Sequence, residues 1–281
     1  MHGRGLIWGA AALVSAAAIV AAWVVLSPGW AVTAISSASQ SALGRAFAAK
    51  GGAHLDLSPL TIRIEDATLA SPDPEDSFIT AKSIAIPVSL GQLFVHAPDL
   101  STLTLSGAEI ALVIDEEGRV SWDFPAAKAG AALKITLEQA TVRYFDARNK
   151  QSLVLSNVDG LLAADEQGKL GFTGSGVVNS RVIRIDAALK SLARVNQDGS
   201  PFDVAFSSDI AAAHFSGMVA TGNLLNLAGT VNVTSPDPAS AVRWLGIALP
   251  EGAKLPGPLN VDGALDSCLL YTSDAADDTP C

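Results

Sequence analysis

The sequence is poor in charged and aromatic residues: 16% of its 281 residues are Asp, Glu, Lys or Arg, and 6% are Phe, Trp or Tyr. Because 49% of the residues are apolar, the chain has ample surface to bury, which excludes an intrinsically disordered protein. The net charge of −10 argues against a nucleic-acid partner, since no excess of basic side chains can replace counterions on phosphates. A composition rich in Ala, Val, Leu, Ser, Thr and Gly favours many light β-strands over a dense aromatic enzyme core.

Cysteine is absent from most of the chain, because Cys268 and Cys281 both lie in the final segment CLLYTSDAADDTPC. This segment resembles the translated sequencing-adapter scars that end many metagenomic reading frames. We therefore expect residues 268–281 to be non-native and the natural protein to continue past about Ser267; a natural acidic tail is the alternative. The body before this segment can form no disulfide and perform no thiol chemistry.

Catalytic and metal-binding patterns are also missing. The four histidines, His2, His54, His96 and His214, are not at metal-ligand or general-base spacing, and no phosphate-binding glycine loop is present. The glycine-rich segment 171–176 is interpreted as a β-bulge or bend. We predict a protein that is not an enzyme, with no catalytic, cofactor-binding or metal-binding residues; an anchored hydrolase is the poorest fit.

A long uncharged run near the N-terminus, Leu6 to Leu26, predicts a membrane anchor. Twenty-one residues in a helix span about 30 Å, the thickness of the hydrocarbon core of a bilayer. Arg4 precedes the run, which predicts a cytoplasmic N-terminus with the rest of the chain across the membrane. A cleaved signal peptide with its site near Val32-Thr33-Ala34 is the alternative. Within domain 1–30, the residues assigned to the membrane are Leu6, Ile7, Trp8, Leu13, Val14, Ile19, Val20, Trp23, Val24, Val25 and Leu26.

The body, residues 31–267, alternates apolar and polar residues in short runs, which is typical of strands with one apolar face. Glycine-ended turn signals separate the runs, at 115–118, 165–168 and 196–199. The fold class predicted is mainly β: an elongated antiparallel sheet of ten or more strands with a few short helices. Helices are predicted over 35–47, stopped by Gly51-Gly52, over 90–96, and over 237–246, where Asp237 is the N-cap and Pro238 the first helical residue.

An internal repeat runs through the strands. Residues 60–69, LTIRIEDATL, match residues 133–142, LKITLEQATV, nearly position for position, and residues 103–110 form a weaker third copy. In each copy an alternating strand meets two polar residues, then a small Ala, then a new strand. Repeats of this kind predict an elongated sheet rather than a compact globule.

So few helices leave the apolar face of such a sheet without an obvious cover. The sheet can fold on itself as a sandwich, close as a barrel, or curl into an open trough lined with apolar side chains. In the trough, the candidate lining comprises Ile62, Ile64, Ile84, Ile86, Leu103, Leu105, Ile135 and Leu137. For any one of these residues an ordinary β-sandwich core is an equal alternative, and the sequence does not say which face turns inward.

The order of motifs along the chain resembles the AsmA family. After the anchor and a short helix, the segment 115–124, DEEGRVSWDF, is similar to the family pattern d-G-x-x-N-W-x-F, with Ser121 where Asn is usual. The stretch 83–114, with its short turn at 89–93, and the later segment 227–238 followed by Trp244-Leu245-Gly246 are also similar to AsmA-type domains.

The resemblance implies a single-pass protein of the cell inner membrane of a Gram-negative envelope, with the bulk of the chain in the periplasm. Residues 31–267 would form an AsmA-like β-groove, related to that of TamB and of bridge-like lipid-transfer proteins. The implied function is outer-membrane biogenesis, with phospholipid and the membrane as partners. The alternative is a non-enzymatic scaffold that assists outer-membrane proteins or their assembly machinery through exposed strand edges.

Overall fold

A computed structural model describes residues 28–72, 76–95, 98–122, 132–195, 198–221, 225–244, 246 and 257–266. The described helices are α1 (Gly29–Leu43), α2 (Leu90–Val95), α3 (Leu192–Val195) and α4 (Pro238–Trp244). The described strands are β1 (Phe47–Leu57), β2 (Leu60–Ala70), β3 (Ser77–Pro87), β4 (Thr102–Ser106), β5 (Glu109–Ile114), β6 (Leu133–Asp146), β7 (Gln151–Ala164), β8 (Leu170–Val178), β9 (Arg181–Leu189), β10 (Ser200–Ser207), β11 (Ala212–Thr221), β12 (Leu225–Ser235) and β13 (Leu259–Asp266).

The protein is mainly β, and the described strands form one large curled sheet, as the alternating sequence predicts. Strands follow one another across the sheet in chain order, from β1 to β13, because short turns join most neighbours. The exception is the pair β4 and β5, which both run parallel to β6. The prediction of a wholly antiparallel sheet is wrong at this point, because β4 and β5 run in the same direction as β6.

The internal repeat marks places where the backbone departs from a regular ladder. The second polar residue of each copy has a positive φ: 49° at Asp66, 58° at Gly107 and 51° at Gln139. The small residue that follows is buried in each copy, namely Ala67, Ala108 and Ala140. Strand β7 carries a further copy, in which Asn157 (φ 48°) precedes buried Val158.

These positions lie side by side across the sheet. Ala67 pairs with Ala81, Ala140 pairs with Val158, and the Thr141 N–H donates to the carbonyl of Ala108. Register shifts occur beside them in the pairs β1–β2, β6–β7 and β7–β8. Because a bulge bends its strand and increases the local twist, the aligned irregularities bend the sheet along one line, which we call the crease.

The core lies on one face of the sheet in its N-terminal half, beneath α1. Ala31 of α1 is fully buried in the same cluster as Ile62 and Ile64, and Trp30 and Ile35 pack against that cluster. Helix α1 supplies part of the cover that the sequence did not reveal, and Leu93 of α2, which is 1% exposed, supplies another part.

The predicted end of this first helix is wrong. It stops at Gly44, which adopts a left-handed conformation (φ 64°) and donates its N–H to the Gln40 carbonyl, 3.2 Å away. Phe47 already belongs to β1, where it pairs with Leu69. The expected stop signal, Gly51-Gly52, instead lies at a register shift of β1, where a Cβ on Gly51 would come within 2.6 Å of the Glu65 Cβ.

The other two predicted helices are confirmed. Helix α2 occupies the predicted 90–96 region, and α4 begins at Pro238 after Asp237. The Asp237 carboxylate accepts a hydrogen bond from the Ser240 N–H at 3.1 Å, and hydrogen bonds from Ser240 lower the pKa of this carboxyl group. The predicted membrane span Leu6–Leu26 and the tail 268–281 lie outside the described residues, among which no helix has the length and hydropathy to cross a bilayer.

Candidate apolar groove

Strand register brings apolar residues together in a continuous row across the sheet. Residues paired directly across neighbouring strands project their side chains from the same face. One such row crosses twelve strands and contains only aliphatic side chains, one Phe and Gly. Its members are Ala53, Ile64, Ile84, Leu105, Leu137, Gly160, Gly174, Ile185, Phe206, Ala213, Val233 and Val261. We call the face that carries this row the inner face.

The adjacent row, one residue along each strand, projects from the opposite, outer face and is mostly polar. Its members are His54, Arg63, Ala85, Thr104, Thr136, Leu161, Thr173, Asp186, Ala205, His214, Asn232 and Asp262. Neighbours in this row bond to one another: Thr173 donates to Asp186 at 3.1 Å, and Asn232 donates to Asp262 at 2.7 Å. The sheet therefore has one apolar and one solvated face along its whole described width.

The eight residues predicted to line a groove all lie on the inner face of strands β2, β3, β4 and β6. Six of them, Ile62, Ile64, Ile84, Ile86, Leu105 and Leu137, are buried, and the other two, Leu103 and Ile135, are half-buried against them. The structure thus brings all eight together. They belong to, or pack against, the cluster that contains Ala31 of α1 and Leu93 of α2, so protein side chains cover most of this part of the apolar lining.

The C-terminal half of the inner face, carried by β8 to β13, is more exposed, and we call it the open half. Phe206 is 41% exposed and Val261 46% exposed, and Ile185, Val231 and Val233 are half-buried, whereas Val204, Phe215 and Val219 are buried. Two short helices lie beside it: α3, which contacts β10 and β11, and α4, which bonds to the end of β8. The sequence did not single out these lining residues, although Ile183-Arg184-Ile185 and Val231-Asn232-Val233 carry the alternation that identifies them.

Two glycine pairs form part of the floor of this face. Gly160 pairs with Gly174, and Gly217 pairs with Gly229. The Phe172 ring lies over the first pair and the Phe215 ring over the second. A Cβ built on Gly174 would be 2.9 Å from Phe172 Cζ, and one built on Gly217 would be 2.8 Å from Phe215 Cζ.

Each ring therefore lies flat along the inner face instead of projecting from it. The inner face is shallow at these glycines, where a side chain would otherwise fill the space. The interpretation of segment 171–176 as a bulge is wrong, because β8 runs in unbroken register with β9. The extra residue lies in β7, between Ser156 and Asp159. The signal available in the sequence is the repeated Phe-Thr/Ser-Gly of Phe172–Gly174 and Phe215–Gly217.

The charged groups of the described chain serve mainly the turns and the outer face. His214 bonds to Asp203 at 3.0 Å and His54 lies 3.8 Å from Glu65, each pair joining two neighbouring strands. Asp146 is buried at the end of β6, and hydrogen bonds from the Arg148 guanidinium, at 2.8 and 2.9 Å, hold the pKa of this carboxyl group below its ordinary value. Among the described residues no three acidic, His or Cys side chains gather as a metal site would require.

The segment that resembles the AsmA pattern closes the end of β5. Ser121 is buried; its hydroxyl donates to the Ala111 carbonyl at 2.7 Å and accepts from the Val113 N–H at 2.9 Å. Asp115 accepts from the Arg119 backbone N–H at 2.7 Å and turns the chain back. These residues fix a loop, and Asp123 and Phe124 of the same segment lie outside the described residues.

Comparison of the chain with protein-family models, with curated proteins and with solved structures finds no match.

Proposed function

We propose that this chain is an AsmA-like protein of the inner membrane that carries phospholipid along the inner face of its periplasmic sheet, as part of outer-membrane biogenesis, and that it is not an enzyme. The observation that carries the proposal is the unbroken apolar row across twelve strands, facing away from a polar row on the other side. The predicted anchor at Leu6–Leu26 supplies the membrane attachment.

The region proposed to hold lipid is the open half. In the N-terminal half, six of the eight candidate residues are buried in a cluster that also contains Ala31 of α1 and Leu93 of α2, so little of their surface is available to acyl chains. In the open half, Phe206 and Val261 present apolar surface to solvent. Each methylene removed from water contributes about 0.8 kcal/mol, so even part of an acyl chain along this floor gains several kcal/mol.

The proposal is tested with two variants of equally exposed residues on opposite faces. Phe206 on the inner face and Leu161 on the outer face are 41% and 43% exposed. The full chain would be purified in mild detergent, mixed with phosphatidylethanolamine and phosphatidylglycerol, and examined by native mass spectrometry. We expect bound phospholipid on the wild type and on Leu161→Asp, and its loss on Phe206→Asp, because a carboxylate on the apolar floor is costly to desolvate.

A wild-type chain that stays folded and soluble without any bound lipid would contradict the proposal. Equal loss of lipid in both variants would also contradict it, because lipid would then not distinguish the two faces.

A second candidate function, a scaffold for outer-membrane proteins, is favoured by the form of strand β13. Among the described strands β13 pairs only with β12, in eight consecutive pairs without a register shift, and its side chains are mostly exposed. The opposite edge strand, β1, has a register shift at Gly51–Gly52 and is packed by α1. Both features hinder the pairing of a further strand with β1. An incoming strand could therefore add to β13 through backbone hydrogen bonds.

A photo-crosslinking amino acid at Val261 of β13, with Lys50 of β1 as the control, separates the two candidates. Crosslinks from position 261 to nascent outer-membrane barrel proteins would favour the scaffold. Crosslinks from position 261 to lipid alone would favour the lipid carrier.

A further inference from the structure

Helix α4 crosses one side of the open half from β12 to the turn between β8 and β9. At its start, the Ser235 hydroxyl donates to the Ile210 carbonyl at 2.7 Å, which holds the chain to the turn between β10 and β11. At its end, Trp244 Nε1 donates to the Val178 carbonyl at 2.9 Å, and the Trp244 carbonyl accepts from Asn179 Nδ2 at 2.9 Å. The segment 235–244 thus connects the end of β12 with the β10–β11 turn and the β8–β9 turn.

The surface next to α4 is buried, whereas the floor one row away is not. Pro238 and Ala241 of the helix are buried, and so are Val178 and Ile183 at the ends of β8 and β9. Phe206, on the next row of the inner face, is 41% exposed. Helix α4 therefore borders buried residues at this side of the open half, and Phe206 in the next row is accessible to solvent, whereas Val204 and Phe215 one row further on are buried.

The two partners in the attachment of α4, the β8–β9 turn and the helix itself, differ in rigidity. Asn179 and Ser180 both have positive φ, 45° and 66°, which is the conformation of a tight two-residue hairpin turn, so the receiving turn is rigid. Helix α4 has only seven residues, too few to remain helical on its own in water. Its helical form thus depends on docking, and release from the turn would unwind it.

From this geometry we infer that α4 is a strap that opens and closes one side of the open half and so regulates the entry of acyl chains; the inference rests on the function proposed above. The two bonds made by Trp244 hold the strap closed. When they break, α4 detaches and uncovers Val178 and Ile183, which extend the apolar floor to the edge of the sheet.

The strap is tested in the full chain with the variant Trp244→Phe/Asn179→Asp. Phe keeps most of the ring and removes the indole N–H, while Asp tolerates the left-handed conformation and removes the amide donor. If the double variant folds poorly, the single variant Trp244→Phe replaces it in both measurements. The control is Arg243→Gln, since the hydrogen bonds that Arg243 makes to described residues, to Ala239 and Ser240, stay within its own helix.

Two measurements report separately on the strap and on the groove. Hydrogen exchange followed by mass spectrometry reports α4 docking, and the rise in fluorescence of cis-parinaric acid reports entry of an acyl chain. We expect amide exchange in peptides covering 238–244 to accelerate at least tenfold in the double variant. We also expect fatty-acid uptake to become several times faster at an unchanged final amount, with wild-type behaviour in Arg243→Gln.

Faster amide exchange in α4 with an unchanged rate of fatty-acid uptake would overturn the strap and leave the proposed function standing. Unchanged amide exchange in the double variant would have the same consequence. Absence of uptake by the wild type and every variant would instead overturn the proposed function, and the strap with it.

Discussion

The close contact between the Phe215 ring and the glycine pair beneath it predicts opposite outcomes for two Gly→Ala substitutions on the inner face. In Gly217→Ala the new Cβ would clash with the Ala228 carbonyl oxygen and would lie 2.6 Å from Gly229 Cα and 2.8 Å from Phe215 Cζ, all closer than non-bonded atoms approach. In Gly263→Ala the new Cβ meets nothing within 4 Å. Gly217 and Gly263 differ mainly in the space above them.

The magnitudes follow from two opposing contributions. Alanine in place of glycine in a strand gains about 0.5–1 kcal/mol of backbone entropy, and overpacking a filled site costs about 1–3 kcal/mol. We therefore expect Gly217→Ala to lower the free energy of unfolding by about 1–2 kcal/mol and Gly263→Ala to leave it unchanged or raise it by up to about 1 kcal/mol. Urea unfolding of the full chain, followed by circular dichroism, measures both.

The Phe215 ring is tested by a double-mutant cycle. Phe215→Leu removes the ring contact but leaves the Ala228 oxygen and Gly229 Cα in place, so Gly217→Ala should cost less in that background than in the wild type and still destabilise. Equal stabilities of Gly217→Ala and Gly263→Ala, together with no coupling to position 215, would refute a floor in which rings lie close against paired glycines.

Three further predictions concern the core and the turns. Ile64→Ala should lower the free energy of unfolding by about 2–5 kcal/mol because it leaves a cavity beneath α1, whereas Val261→Ala on the exposed edge should change it by less than about 0.5 kcal/mol in urea unfolding. Ser121→Ala should cost about 1–3 kcal/mol, since a buried carbonyl and a backbone N–H both lose their partner; faster proteolysis after residue 115 would report the loosened loop. Asp146→Asn should destabilise by about 1–3 kcal/mol at neutral pH. Because the pKa of Asp146 is lowered by Arg148 from its ordinary 3.8, its contribution is present above pH 3.8 and lost as the pH falls through the folded-state value, so the variant and wild type should converge in acid unfolding titrations.

Alternation and repetition were sufficient to predict the strands, because both reflect local geometry. The runs 60–64, 133–137 and 183–185 all lie within strands, and the repeated polar pair before an Ala marks the positive φ at Asp66 and Gln139. These features depend only on residues close together in the chain.

The remaining features depend on the path of the chain through space. The parallel pairing of β4 with β6 could not be predicted, because alternation does not specify whether neighbouring strands run parallel or antiparallel. The cover of the inner face was not predicted, because the sequence contains the apolar residues of the helices but does not show that Ala31, Ile35 and Leu93 pack on these strands. Alternation placed the eight candidate residues on one face, whereas the choice of that face as the covered one, and the division into a filled half and an open half, required the positions of these helices.

The crease also affects how such a sheet can change in length. Each positive-φ position lies at the same level as its neighbours on adjacent strands, and each is specified by a few residues of its own strand. Duplication of a whole two-strand unit would also duplicate the residues that specify the positive φ. The added strands would therefore continue the crease. A duplication of one strand alone would reverse the direction of every later strand. Later strands that then paired out of register would turn their apolar side chains to the opposite face of the sheet. Where neighbouring strands are antiparallel, addition of a whole two-strand unit therefore preserves strand direction and face; the parallel neighbours β4 and β6 are the exception in this sheet.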